Sequence, residues 1–239
     1  MLVEGKNPVR ELLISGATIN KIFAQNNLKD NLSNQIIKMA KDKKIRIDFV
    51  SKEVLDKKSE HKRHQGFICD TVDFAYSDVD EILEYAQQRN EQPFLVILDG
   101  IEDPHNFGAI VRTCECAGVH GIIIPKHRAC QVNDTVIKTS AGATANMKIA
   151  SVTNLSGTIQ NLKKKNIWVY GLELGGQDIY KTNLSGAIAL VVGSEGFGIS
   201  RLVKDNCDEI VTLKQNGKIN SLNASVACGI AVYEILKQR

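Results

Sequence analysis

Residues Phe94 to Thr113 read FLVILDGIEDPHNFGAIVRT. The apolar run Phe94 to Leu98 ends in Asp99-Gly100, and after a short polar connection a helical pattern opens near Asn106 and carries Arg112. A strand without polar alternation is buried on both faces, and a strand-loop-helix unit of this kind belongs to a parallel sheet covered by helices. The pattern continues downstream, where GIIIP (121–125), KIASV (148–152), IWVYGLE (167–173), AIALVVG (187–193) and EIVTL (209–213) alternate with helical segments. The fold class expected is α/β, with a parallel sheet from residue 93 to the end.

Upstream, the chain changes character. Asn7-Pro8 opens a helical pattern that stops at Gly16, NKIFAQ (20–25) alternates as a strand, Leu32, Ile36, Ile37 and Ala40 recur at helical spacing, and IRIDFV (45–50) alternates again. GFICDTVDF (66–74) offers one more strand. Residues 1–73 thus read as a small α/β domain, 74–92 as an acidic linker helix, and 93–239 as the large domain. The first 73 residues carry 14 Lys+Arg against 10 Asp+Glu, whereas the rest carry 16 against 17. Lys38 to Arg63 alone holds ten basic residues against five acidic, which suits a surface that meets phosphates as well as it suits a solvated helix face.

Composition narrows the classes further. A hydrophobic share of 43% and a charged share of 24% are those of a globular protein, and no apolar run approaches the ~20 residues of a membrane span. The start, MLVEGKNPVRELL, lacks the pattern of a secretory signal. Six cysteines without CxxC spacing read as small buried hydrophobes of a reducing compartment, so a soluble, cytoplasmic protein without disulfides or membrane contact is expected. His61 and His64 form an HxxH without a second ligand pair, and no metal site is expected.

Three segments carry the candidate chemistry. A nicotinamide-binding turn would place GxGxxG directly after the first strand, but LVILDG is followed by IEDPHNFG, so that class is set aside. In NFGAIVRT, Asn106 stands where a helix begins and reads as its cap, while Arg112 in a small, apolar helix calls for an anion. In VVGSEGFGIS a glycine-flanked turn ends a buried strand and offers Glu195 as that partner. In SLNASVA, Ser221 is able to cap the last helix, leaving Asn223 in its first turn for a ligand; Val226, Ile230 and Leu236 would form its buried face.

Taken in order, NFGAIVRT, GSEGFG, SLNASVA and the closing YEILKQR resemble the motifs of the SpoU/TrmH-type RNA 2'-O-methyltransferases of the SPOUT superfamily. EGKNPVRELL resembles the start of the RNA-binding domain of the bacterial 23S rRNA guanosine 2'-O-methyltransferase subgroup. The resemblance implies a C-terminal trefoil knot that binds S-adenosylmethionine, a property no periodicity shows. It also implies a homodimer acting on RNA, most closely rRNA, with tRNA guanosine methylation as the alternative. A nonenzymatic RNA-binding protein is the reading from a different class. Catalytic roles fall to Asn106, Arg112, Glu195, Ser221 and Asn223, and cofactor contacts to Gly171, Leu172, Glu173, Gly193, Leu213 and Leu222. The family usually has Ile-Pro-Met where this chain has Leu213-Lys214-Gln215, which puts the loop path in question.

Overall fold

A computed structural model describes residues 2–15, 18–59, 62–71, 74–217 and 221–239. Contacts divide it into two compact units, Met1–Ala75 with Val132–Asp134, and Tyr76–Gln131 with Thr135–Arg239.

The first unit runs β1 (Leu2–Glu4), α1 (Lys6–Ser15), β2 (Ile19–Gln25), α2 (Asn31–Asp42), β3 (Arg46–Val50), α3 (Lys52–Lys58) and β4 (Phe67–Thr71). Its sheet has the order β1-β4-β2-β3, with β2 and β3 parallel and β4 antiparallel to both its neighbours. Val9 and Leu13 of α1 and Ile36 and Ala40 of α2 are fully or almost fully buried in one cluster with Ile22, Ala24, Phe67 and Cys69. Asp30 caps α2 by accepting from Ser33 N, and it also pairs with Lys6 at 2.7 Å; the Lys6 ammonium and the Ser33 donors hold its carboxyl well below the usual range.

His64 of the HxxH is buried: Nδ1 accepts from Gly66 N at 2.9 Å and Nε2 lies 3.0 Å from Asp56 Oδ1. With both ring nitrogens engaged, His64 pins the turn before β4. His61 lies outside the described residues, and among the described residues no group of three potential metal ligands exists.

The second unit comprises α4 (Val79–Gln88), β5 (Phe94–Asp99), α5 (Pro104–Cys116), β6 (Gly121–Pro125), α6 (Asp134–Thr139), β7 (Ile149–Val152), α7 (Leu155–Lys164), β8 (Trp168–Asp178), β9 (Ile188–Gly193), α8 (Arg201–Lys204), β10 (Glu209–Thr212) and α9 (Ala224–Gln238). Its strands pair in parallel in the order β10-β8-β9-β5-β6-β7, and every residue of β9 is buried, as the uninterrupted apolar run requires. The chain builds outward from β5 through β6 to β7, then returns to the other side with β8, and β9 fills the place between β8 and β5. Strand order therefore reverses between β5 and β9, the place where open α/β sheets hold ligands.

The acidic segment read as a linker is built into this second unit. Ile82 and Ala86 of α4 are fully buried, and Ile82 packs in the cluster of Leu95, Ile97 and Ile123. Gly121 makes room for it, since a Cβ there would lie 2.5 Å from Ile82. No described helix is long and apolar enough to cross a membrane.

At the N-terminal ends of β5 and β6, His120 is 2% exposed; its Nδ1 accepts from Phe94 N at 3.0 Å and its Nε2 lies 2.9 Å from Glu91 Oε2. This arrangement fixes a neutral ring with the proton on Nε2. Burial outweighs the attraction of Glu91 and lowers the imidazole's pKa, so the unfolded chain binds the proton more readily. The stability due to His120 is accordingly complete above the ordinary histidine value of about 6.5 and is lost as pH falls below it. Urea midpoints should drop more between pH 7.5 and 5.5 in the wild type than in His120→Gln. Equal drops would contradict this role.

Candidate active site

The site is assembled at the C-terminal ends of β5 and β9, which pair through Asp99 and Gly193. Beyond Gly193 the chain makes a tight turn closed by Ser194 N to Gly198 O at 3.1 Å and Gly198 N to Ser194 O at 3.0 Å. Gly196 and Gly198 take φ of +89° and +67°, a region that side chains disfavour. Gly193 is required by closeness, because a Cβ would lie 2.1 Å from the Gly198 carbonyl carbon. Ser200 N donates to Asp99 Oδ2 at 2.7 Å and ties the turn back to β5. The turn thus presents Glu195 and Phe197 at its tip.

Glu195 is where the three sequence segments meet. Its Oε1 accepts from Asn106 Nδ2 at 3.3 Å, from Ala224 N at 3.2 Å and from Asn223 Nδ2, while Asn223 Nδ2 also donates to Asn106 Oδ1 at 2.9 Å. One carboxylate oxygen therefore locks the first turns of α5 and α9 to the glycine turn. Among the described residues no donor reaches Glu195 Oε2, and the residue is exposed, so that oxygen remains available to a ligand.

Both capping assignments of the sequence reading, Asn106 for α5 and Ser221 for α9, are corrected by the structure. Asp103, accepting from His105 N, caps α5, and Pro104 takes the first helical position, which leaves the Asn106 amide inside the first turn and free to reach Glu195. Asn223, not Ser221, caps α9: its Oδ1 accepts from Ser225 N and Val226 N. Ser221 is exposed ahead of the helix. Asn223→Ala should therefore cost about 1 kcal/mol in denaturant unfolding. Ser221→Ala should stay within about 0.5 kcal/mol, and the reverse ranking would refute the assignment.

Arg112 does not pair with Glu195. Six residues beyond Asn106, it lies about 9 Å along the helix and about 120° around it. It is exposed, so water satisfies its charge, and among the described residues no hydrogen bond or ion pair engages it. The structure brings Asn106, Glu195 and Asn223 together and leaves Arg112 outside that cluster.

Beside the cluster, β8, β9, the glycine turn, the segment after β10 and the start of α9 enclose a cavity of about 410 Å³. Small-molecule sites fall in the range of roughly 300–1,000 Å³. Leu172, Glu173, Gly193, Leu213 and Leu222 line it, as do Ser221 and Glu195. Gly171 does not; it is buried where a Cβ would meet Ile210 at 2.7 Å, so it serves the packing of β8 on β10. Of the triplet that departs from the family pattern, Leu213 and Gln215 line the cavity and Lys214 is exposed. Sequence reasoning misses Phe197, 94% exposed at the rim, and Thr212 and Ala227 in the wall, because ordinary residues of strand and helix carry no chemical signal.

Glu173 adds a specific feature. Its Oε1 pairs with Lys204 at 2.9 Å, whereas its Oε2 is buried in the cavity wall without a partner among the described residues. A buried carboxylate oxygen without a donor is costly, so the cavity fits a ligand that brings hydroxyl or amine donors.

A parallel sheet with a glycine turn at its switch point and a cavity beside that turn defines a small-molecule-binding α/β domain joined to a basic α/β unit. The family model of the SpoU rRNA Methylase family matches residues 93–233, and that of the RNA 2'-O ribose methyltransferase substrate binding domain matches residues 2–77. The chain belongs to the SpoU/TrmH family of RNA methyltransferases, a family that takes its methyl group from S-adenosylmethionine. It is 41% identical to YacO of Bacillus subtilis (strain 168), assigned to the TrmH family of tRNA/rRNA methyltransferases, over 99% of this chain and 95% of that one. A TrmH-family relative from Staphylococcus aureus (strain MSSA476) is 41% identical over 100% and 96%. Among solved structures, the SpoU methyltransferase AviRb from Streptomyces viridochromogenes, in complex with AdoMet, is similar with a TM-score of 0.63 at 20% identity, covering 100% of this chain and 90% of that one. The A. aeolicus TrmH/SpoU tRNA modifying enzyme has a TM-score of 0.58 at 24% identity and covers 66% of this chain and 84% of its own.

Proposed function

We propose that this protein transfers a methyl group from S-adenosylmethionine to the 2'-hydroxyl of a guanosine in 23S rRNA. The observation that carries the site assignment is the convergence of Asn106, Asn223 and Ala224 N on one oxygen of Glu195 at the mouth of the cavity. The rRNA target is supported by the N-terminal substrate-binding unit, since the tRNA modifying enzyme of A. aeolicus covers only 66% of this chain.

When bound, S-adenosylmethionine supplies an electrophilic methyl carried on a sulfonium. Gly193, Leu213 and Leu222 offer backbone to it, and Glu173 Oε2 offers an acceptor for its hydroxyl groups. In-line displacement needs the ribose hydroxyl held on the methyl's axis and eased of its proton. Glu195 Oε2, the free acceptor of the cluster, receives the hydrogen bond of that hydroxyl, with Asn106 and Asn223 holding the carboxylate in place. Arg112 binds the adjacent phosphate rather than acting as a base, because a guanidinium keeps its proton in proteins. Ser221 positions the ribose. The C-terminal segment from β9 to α9 forms the trefoil knot of the family.

The protein acts in the cytoplasm as a homodimer in this reading. Leu222, just ahead of α9, and Val226, Ile230 and Tyr233 along one stripe of it, 37–51% exposed, are the face a second copy covers. Light scattering should give twice the 26.3 kDa of the chain, falling toward one chain in Tyr233→Glu. A wild type that scatters as a monomer at micromolar concentration contradicts the dimer. The function itself is tested by methyl incorporation into rRNA and tRNA from a deletion strain. Incorporation into tRNA alone would replace the rRNA assignment.

A further inference from the structure

The connection leaving β6 reads Pro125-Lys126-His127-Arg128-Ala129-Cys130-Gln131 and carries three exposed basic side chains in succession. Several lysines of this unit meet carboxylates, Lys163 with Asp208, Lys165 with Asp80 and Lys204 with Glu173, whereas other exposed ones stand apart. Among the described residues no hydrogen bond or ion pair engages the side chains of Lys126, His127 or Arg128. The loop is nevertheless built. Gln131 Nε2 donates to Pro125 O at 3.0 Å and to Ala129 O at 3.5 Å, stapling its two ends, and Ser151 Oγ donates to Gln131 Oε1 at 3.3 Å. Lys126 N bonds to Val152 O and Cys130 N to Ile101 O, which fasten it to β7 and to the connection that leads into Asp103 and Asn106. At its apex Arg128 takes φ +57°, a left-handed conformation that an arginine adopts only when its surroundings impose it.

The position matters as much as the charge. β6 neighbours β5 and β5 neighbours β9, all in parallel, so this loop and the Glu195 turn leave the same edge of the sheet, about 10 Å apart at two strand spacings. We infer that the Lys126–Arg128 loop is a phosphate-binding element of the catalytic domain, which grips the RNA backbone beside the ribose placed at Glu195. The inference rests on the RNA reading above. Gln131 is a positioning residue for it, acting by holding the loop's ends.

The test is RNA binding by fluorescence anisotropy with a labelled rRNA fragment, across salt concentrations, on the full-length protein. Lys126→Ala/Arg128→Ala should weaken binding about tenfold near 0.1 M salt and reduce the slope of log affinity against log salt by about 1 to 2, as loss of phosphate contacts does. The charge-preserving Lys126→Arg/Arg128→Lys should restore the slope, and Gln131→Ala should weaken RNA binding without altering S-adenosylmethionine affinity in calorimetry. A double variant with wild-type affinity and slope overturns the inference. A wild type that binds this RNA through the loop yet methylates none would instead defeat the catalytic reading and leave the loop assignment standing.

Discussion

Arg112→Ala should lower methyl transfer to RNA at least a hundredfold, a barrier change of about 2.7 kcal/mol, while barely altering stability. The two halves of that result come from one observation: Arg112 is exposed and makes no hydrogen bond or ion pair among the described residues. Exposed residues without partners change stability by no more than about 0.5 kcal/mol when replaced. A large kinetic loss in a protein that melts as the wild type would place the guanidinium on the substrate. Arg112→Lys keeps the charge but not the two-pronged donor set, and it should recover only part of the activity. Unchanged turnover in a folded Arg112→Ala protein would remove Arg112 from the reaction.

Gly193→Ala is expected to abolish S-adenosylmethionine binding, weakening it beyond about a hundredfold. The added methyl would stand 2.1 Å from the Gly198 carbonyl carbon and 2.3 Å from Ile199 N, both backbone atoms that a side-chain rotation cannot clear. The turn must open, and with it move the wall of the cavity and the carboxylate of Glu195. Overpacking of this kind costs about 1–3 kcal/mol or more. Gly217→Ala is the control, since among the described residues nothing lies within 4 Å of its Cβ position. Calorimetric titration of both variants decides the point; equal affinity would mean that the turn does not shape the cofactor site.

The second unit is legible in the sequence because its central strands β5, β6 and β9 are apolar almost throughout, a pattern that burial on both faces explains. β5 and β9 appear where FLVILDG and AIALVVG place them. What the residues do not disclose is which polar group serves which purpose. Asn at a helix start reads as a cap, which points to Asn106 for that role and leaves Asn223 for the ligand. Asp103 with Pro104 starts α5 three residues earlier than the asparagine suggests, and Asn223 performs cap and cluster duties with different atoms, Oδ1 to the helix and Nδ2 to Glu195. Local pattern does not reveal this, because the contacts join residues 28 and 117 positions apart.

The last helix illustrates the same limit in packing. Val226, Ile230 and Leu236, expected to form its buried face, are 50%, 37% and 40% exposed, while Ala224, Cys228, Ala231, Val232 and Ile235 are buried. A helix apolar around most of its circumference does not announce which side meets its own domain. The structure settles the matter by packing α9 on α5, where a methyl group added at Gly229 would make ordinary contact with Thr113 at 3.5 Å.

The measurement that bears most directly on the central claim is nucleoside analysis of RNA incubated with the purified protein and S-adenosylmethionine carrying a labelled methyl group. The expected result is label in a 2'-O-methylated nucleoside, guanosine in 23S rRNA, formed by the wild type and lost in Arg112→Ala. Label on a base, or a protein that binds S-adenosylmethionine and RNA but labels neither rRNA nor tRNA, would contradict it.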